Sequence, residues 1–233
     1  MKVSVITLFP ELFSEFLEAS ILGRAQREGR IDVELVQLRD FATDRHRSCD
    51  DQPYGGGPGM VLSPEPLAGA LEALDARNRW TVYLTPSGRL LDQRLVEECV
   101  ARHSLILIAG RYEGIDQRIV DLYVDDEVSI GDYVLSGGEV PAMVLIEAMS
   151  RLVGGVIRDE SLHEESFVAG MVEYPHYTRP EEFAGRRVPD VLLSGHHAQI
   201  VRWRREQSLA KTKRMRPDLL DGIAGGTEGD GER

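Results

Sequence analysis

Residues Ser129–Met143 read SIGDYVLSGGEVPAM. Three glycines and a proline stand between apolar residues, as in a chain whose backbone must come close to something, because glycine permits φ > 0 and leaves room where a side chain would stand. The stretch follows a short apolar run, DEVSIG (126–131), and leads into EVPAMVLIEAMSRLVGG (139–155), which has Pro141 in its first turn. That pattern predicts a strand, a glycine loop and a helix. The helix is apolar almost all round, so it belongs in a core or against a partner.

Working outward, the same alternation recurs. KVSVITLF (2–9), IDVELVQL (31–38), WTVYLT (80–85) and SLILIAG (104–110) read as buried strands. Between them PELFSEFLEASILGRAQREG (10–29), SPEPLAGALEALDARN (63–78) and DQRLVEECVARH (92–103) read as helices, with cap signals at Ser63, Pro64 and Asp92. Strand then helix, repeated, predicts an α/β fold with a mostly parallel sheet and helices on both faces.

After about residue 157 the pattern changes. RDESLHEESFVAGMVEYPHYTRPEEF (158–183) is acidic and turn-rich, the mark of a functional loop or a linker. SGHHAQIVRWRREQSLAKTKRMRPDLL (194–220) resumes as one or two helices, and the tail GIAGGTEGDGER (222–233) reads as disordered. The expected organisation is an α/β domain over 1–157, a flexible linker over 158–173, a small basic helical domain over 174–220 and a tail over 221–233.

Charge follows the same division. The chain of 233 residues carries a net charge of −12, which argues against a surface that is basic throughout. Residues 196–217 nevertheless hold seven Lys and Arg against Glu206 alone, giving +6 and leaving −18 for the rest. A basic helical module on an acidic body suits a part that grips phosphates; a solvated helix face is the plainer reading of the same charges. Cys49 and Cys99 have neither metal-site nor disulfide-framework spacing, no apolar stretch reaches membrane-spanning length, and the N-terminal run stops at Pro10. A soluble, cytoplasmic protein with reduced thiols and no metal-binding motif is expected.

Three glycine clusters lie after or between strands: YGGGPGM (54–60), AGRYEGID (109–116) and the opening stretch. None carries the Lys-Ser/Thr of a phosphate-binding P-loop, and none gives GxGxxG after the first strand with an acid about twenty residues on. Nucleotide hydrolysis and dinucleotide binding are both disfavoured. Two readings remain: loops that line a ligand with main-chain groups at the C-terminal edge of the sheet, and loops that only turn the chain and let helices pack.

Taken together, FPELF, DDQPYGGGPGM, GRYEGID, SIGDYVLSGGEVPAM, YPHYTRP and VPDVLLSGHHAQIVRWRREQSL are similar, in order and spacing, to the bacterial tRNA (guanine-N1)-methyltransferase family of the TrmD type, to about Leu220. The resemblance implies a SPOUT-type deep trefoil knot in the C-terminal half of the α/β domain, and a homodimer with active sites at the subunit interface. It implies S-adenosyl-L-methionine as methyl donor and N1 of guanosine 37 of tRNA, 3′ of the anticodon, as acceptor. By the same resemblance, cofactor contacts fall at Tyr83, Leu84, Gly110, Tyr112, Glu113, Ile130, Gly131, Asp132, Tyr133, Val134, Leu135, Gly137 and Gly138. Magnesium dependence is ascribed to the family, yet no cluster of oxygen ligands defines a site here.

Methylating guanine N1 removes a proton as the N–C bond forms and places negative charge on O6. A carboxylate and a cation at the same base edge serve both needs. The positions that match the family's base and arginine are Glu165 and Arg151. Glu165 stands where the family usually has aspartate, and Glu164 is its rival. Arg151 on its own also reads as a helix-end arginine favoured by the macrodipole. Glu173 matches a second family acid near the target nucleotide, while Arg202, Arg204, Arg205, Lys211 and Lys213 are expected on tRNA phosphates with Trp203 beside them. Two other readings stay in view: a knotted methyltransferase acting on another RNA site, and a catalytically idle RNA-binding relative.

Overall fold

The five apolar runs become the five strands of one sheet: β1 (Lys2–Thr7), β2 (Asp32–Gln37), β5 (Trp80–Leu90), β6 (Ser104–Ala109) and β7 (Asp126–Ser129). The computed structural model describes residues 1–157, 166–167 and 170–220. The order is β2-β1-β6-β5-β7 with every neighbouring pair parallel. A separate two-stranded ladder joins β3 (Asp50–Asp51) to β4 (Val61–Leu62). The chain divides into two compact units, Met1–Ile157 and Arg158–Arg233.

Strand periodicity sorts the core of the first unit into two layers, one on each face of the sheet. Val3, Val5, Val82, Leu84, Leu105, Leu107 and Ala109 point to one face. There they meet α1 (Ser14–Glu18), α2 (Ser20–Arg27), α4 (Gln93–Ala101) and α6 (Glu139–Leu152). Ile6, Tyr83, Ile106 and Ile108 point to the other, against α3 (Pro64–Ala73) and α5 (Gln117–Tyr123). Both cysteines are free and buried, and burial pushes the Cys99 thiol up to about 11.

Local departures from the expected elements have local causes. The helix predicted over 10–29 is broken into a 3-10 turn (Pro10–Phe13), α1 and α2, with Ser20 at a φ of 47°. At the break the α2 backbone passes so close to the Glu18 carbonyl that a Cβ at Gly23 would overlap it. Asp92 caps α4 by accepting the Leu95 N–H at 2.8 Å. Ser63 makes no such cap, and α3 begins on Pro64 alone. The apolar helix α6 proves two-sided: Leu145, Ile146 and Met149 are fully buried, while Val140 and Val144 are 53% and 41% exposed in the single chain.

The second unit contains α7 (Asp190–Leu193), the long α8 (His197–Met215) and a hairpin of β8 (Glu182–Phe183) with β9 (Arg186–Arg187). Ser208 and Thr212 are the buried residues of α8, and there the Ser208 hydroxyl donates to the Val172 carbonyl and the Val172 N–H donates to Thr212 Oγ1. No helix among the described residues is long and apolar enough to cross a membrane.

Glycine to alanine inside a helix ordinarily stabilises by about 0.5–1 kcal/mol. At Gly23 the overlap with backbone reverses the sign, and Gly23→Ala is expected to cost about 1–3 kcal/mol in urea denaturation. Stability equal to or above the parent would contradict this packing.

Candidate functional site

Four parallel strands end side by side, and the segments that leave their ends form the site. Thr7 closes β1, Gly110 comes directly after β6, Ile130 directly after β7, and β5 carries Tyr83 and Leu84 to the same edge. Beyond Leu84, β5 bulges. Leu84 and Arg89 both register with Val128, so Thr85–Gly88 are thrown out of the ladder. This is the C-terminal edge, where open α/β sheets take ligands.

A cavity of about 310 Å³ lies there. Its lining comes from Tyr83, Leu84 and the β5 bulge, from residues 110–114, and from residues 128–131 and 133–138, with Pro141. Every cofactor position carried over from the family resemblance is in this lining except Asp132. Sequence reasoning passed over Thr85, Pro86, Ser87, Arg111, Ser129 and Ser136, which line it too. Thr85 and Ser87 lie in no glycine cluster, and only the register shift brings them in.

The three glycine clusters meet. The Glu113 N–H donates to the Met60 carbonyl at 2.9 Å, joining the first cluster to the second. The Gly138 N–H donates to the Gly110 carbonyl at 2.8 Å, joining the second to the third, and Arg111 bridges Gly137 beside it. The contact leaves no room for side chains: a Cβ on Gly138 would stand 2.7 Å from Ala109 Cα, and one on Gly110 would stand 2.8 Å from the Tyr83 ring. Tyr83 is itself buried, and desolvation raises its hydroxyl pKa so that it stays protonated. The third loop is turned by Ser129, whose hydroxyl oxygen accepts the Gly131 N–H at 3.2 Å.

An ion pair sits beneath the loops. Glu139, the first residue of α6, is 1% exposed. Its Oε1 accepts the Thr7 hydroxyl at 2.9 Å and its Oε2 lies 2.9 Å from Arg111 Nε. The Arg111 N–H is poorly aligned on that oxygen, so the attraction is coulombic more than a directed hydrogen bond. Arg111 also donates to the Ser136 carbonyl at 3.3 Å and lies over the Phe9 ring at 4.6 Å. The signal for this pair was present in the sequence, as a carboxylate at the start of a largely apolar helix.

Arg151 is half-buried in the last turn of α6. Glu165 and Glu164 lie outside the described residues. In the second unit Glu173 Oε1 is 2.8 Å from His176 Nε2, and the Lys211 ammonium donates to the Glu173 carbonyl at 3.0 Å. Arg204 lies over the Tyr174 ring at 4.8 Å, and Trp203 packs against Tyr177 with ring centroids 6.3 Å apart. Arg202 is paired with Glu206 at 2.8 Å, while Arg205 and Lys213 are exposed. Among the described residues no group of three or more His, Cys, Asp or Glu is arranged to hold a metal ion.

A family model described as tRNA (Guanine-1)-methyltransferase TrmD matches residues 1–222. The chain belongs to that family. The tRNA (guanine-N(1)-)-methyltransferase of Treponema pallidum is 56% identical over 220 residues, covering 94% of this chain and 88% of that protein. The protein of the same name from Treponema denticola is 52% identical over 221 residues, covering 95% and 91%. That of Citrifermentans bemidjiense is 51% identical over 226 residues, covering 96% and 91%.

Removing one partner of a buried ion pair leaves a charge uncompensated at a cost of about 3–5 kcal/mol. Arg111→Ala is therefore expected to destabilise strongly. Adding Glu139→Gln, which keeps an acceptor for Thr7 without the charge, should recover part of the loss. Additive effects in a denaturation double-mutant cycle would contradict the pairing.

Proposed function

We propose that the protein transfers a methyl group from S-adenosyl-L-methionine to N1 of guanosine 37 in tRNA. The observation that supports this reading is the cavity at the sheet edge, lined by all but one of the positions that the family resemblance assigns to the cofactor, in a chain that the family model matches over residues 1–222. Its volume is within the range of about 300–1,000 Å³ usual for small-molecule sites. Glycines at the loop crossing bring main-chain donors and acceptors to its wall, which suits a nucleoside with hydrogen-bonding edges.

When bound, adenosylmethionine supplies an electrophilic methyl group. The protein's own residues do the rest. Glu113 lines the cavity and offers a carboxylate that complements a sulfonium charge. Gly110, Gly137 and Gly138 let the loops pack closely enough to present main-chain groups at the cavity wall, to which Tyr83 and Leu84 add largely apolar surface. At the acceptor, a base must take the N1 proton as the new bond forms, and a cation must steady the charge on O6. We assign Glu165 as that base and Arg151 as that cation.

The remaining assignments belong to the same proposal. Residues 1–157 form a knotted domain and 158–173 a linker. Residues 174–220 bind tRNA through Arg202, Arg204, Arg205, Lys211 and Lys213, and Glu173, at the end of the linker, stands near the target nucleotide. Two chains associate through the exposed stripe of α6, Val140 and Val144, next to the exposed Val134 and Leu135 of the third loop.

The test uses labelled adenosylmethionine with two tRNA transcripts, guanosine or adenosine at position 37. Label is expected in the first alone, and equal labelling of both would refute the reading. Glu165→Gln should lower turnover by about 10²–10⁴ while calorimetry finds cofactor affinity unchanged. Full activity in that variant would move the base to Glu164 or Glu173.

A further inference from the structure

The hairpin of the second unit has the form of a probe. Phe183 and Arg186 face each other across its two strands, separated by Ala184 and Gly185 with φ of 50° and 75°. Positive φ at both central residues makes the tight two-residue turn whose twist matches paired strands. The pairing continues outward, with the Val188 N–H donating to the Glu181 carbonyl at 2.9 Å and Arg187 Nη2 lying 2.6 Å from Glu181 Oε1. The tip is thus held in shape before anything binds.

The groups at the tip are unusual for a surface turn. Phe183 is 76% exposed, and a bare phenyl ring in water has no role in a core. Directly opposite, Arg186 is exposed and, among the described residues, has no ion-pair partner, whereas its neighbour Arg187 is neutralised by Glu181. Cross-strand neighbours share a face of the hairpin, so the ring and the free guanidinium stand side by side.

An aromatic face beside an unpaired cation fits one kind of partner best: a single-stranded nucleotide, its base stacking on the ring and its phosphate on the guanidinium. We propose that the Phe183–Arg186 hairpin tip is an RNA contact that grips an unpaired nucleotide of the tRNA substrate, in addition to the basic side chains of α8. The inference rests on the functional reading above. The turn makes the contact inexpensive in ordering, because ring and cation are placed in advance. Phosphate contact by Arg186 adds affinity without sequence preference, and stacking by Phe183 tolerates any base.

The experiment is tRNA binding by the full chain, measured by fluorescence anisotropy over a range of salt. Phe183→Ala is expected to raise Kd between about five- and 150-fold. Phe183→Tyr should restore it, and Phe183→Leu, apolar but unable to stack in the same way, should not. Arg186→Gln should lower the slope of log K against log salt by about one. Adenosylmethionine affinity, read by calorimetry, should stay at the parent value in all four variants, which shows the first unit intact. If the parent neither binds nor methylates tRNA, the functional reading fails and this inference with it. If the parent does both and Phe183→Ala binds within twofold of it, the inference alone is overturned. A changed sedimentation coefficient with unchanged tRNA affinity would assign Phe183 to a protein contact and overturn it equally.

Discussion

The carboxylate of Glu139 ties together three pieces of chain that are far apart in sequence. It accepts from Thr7 at the end of the first strand, it attracts Arg111 in the loop after β6, and it stands at the first residue of α6. The N-terminus of a helix favours an anion, so the charge is held from a fourth direction as well. Above the pair, Gly138 bonds to Gly110 and Arg111 bridges Gly137. Without the pair the two glycine loops would be held together by these main-chain bonds alone. Burying a charge is costly, and the enclosed geometry is what it sustains.

The two units differ in what they suit. The first unit is acidic overall and contains a narrow, glycine-walled cavity suited to a small ligand with main-chain hydrogen bonding. The second contains the basic helix α8 and a hairpin with an aromatic and a cation at its tip, features suited to a polyanion. In the proposed reaction the first supplies the methyl donor site and the second supplies affinity for RNA. Selection of the methylated atom then falls to a carboxylate and a guanidinium at the base edge, since phosphate contacts carry no sequence information.

Much of this was legible in the sequence because it depends on short-range patterns. Runs of Val, Ile and Leu bounded by turn residues located all five sheet strands, and Asp92 was a true cap. The features that escaped depend on contacts between distant segments or on close backbone approach. At the break at Ser20 the α2 backbone approaches the Glu18 carbonyl closely, an approach that the missing side chain of Gly23 permits and no propensity encodes. Thr85 and Ser87 reach the cavity through a register shift against β7. The Thr7–Glu139–Arg111 network joins Thr7 to residues more than a hundred positions away, and only a carboxylate at the start of a largely apolar helix hinted at it. Asp132 stands between cavity residues without being part of the lining, and across it the Tyr133 N–H bonds back to Gly131.

The fold itself builds the cavity, before any ligand arrives. Native-state hydrogen exchange on the ligand-free protein tests this directly, at the Gly138 amide that donates to Gly110 and the Glu113 amide that donates to Met60. Both amides are expected to exchange as slowly as those in the centre of β6, through global unfolding. Exchange at the rate of an open loop, with protection appearing only on addition of adenosylmethionine, would contradict a preformed cavity.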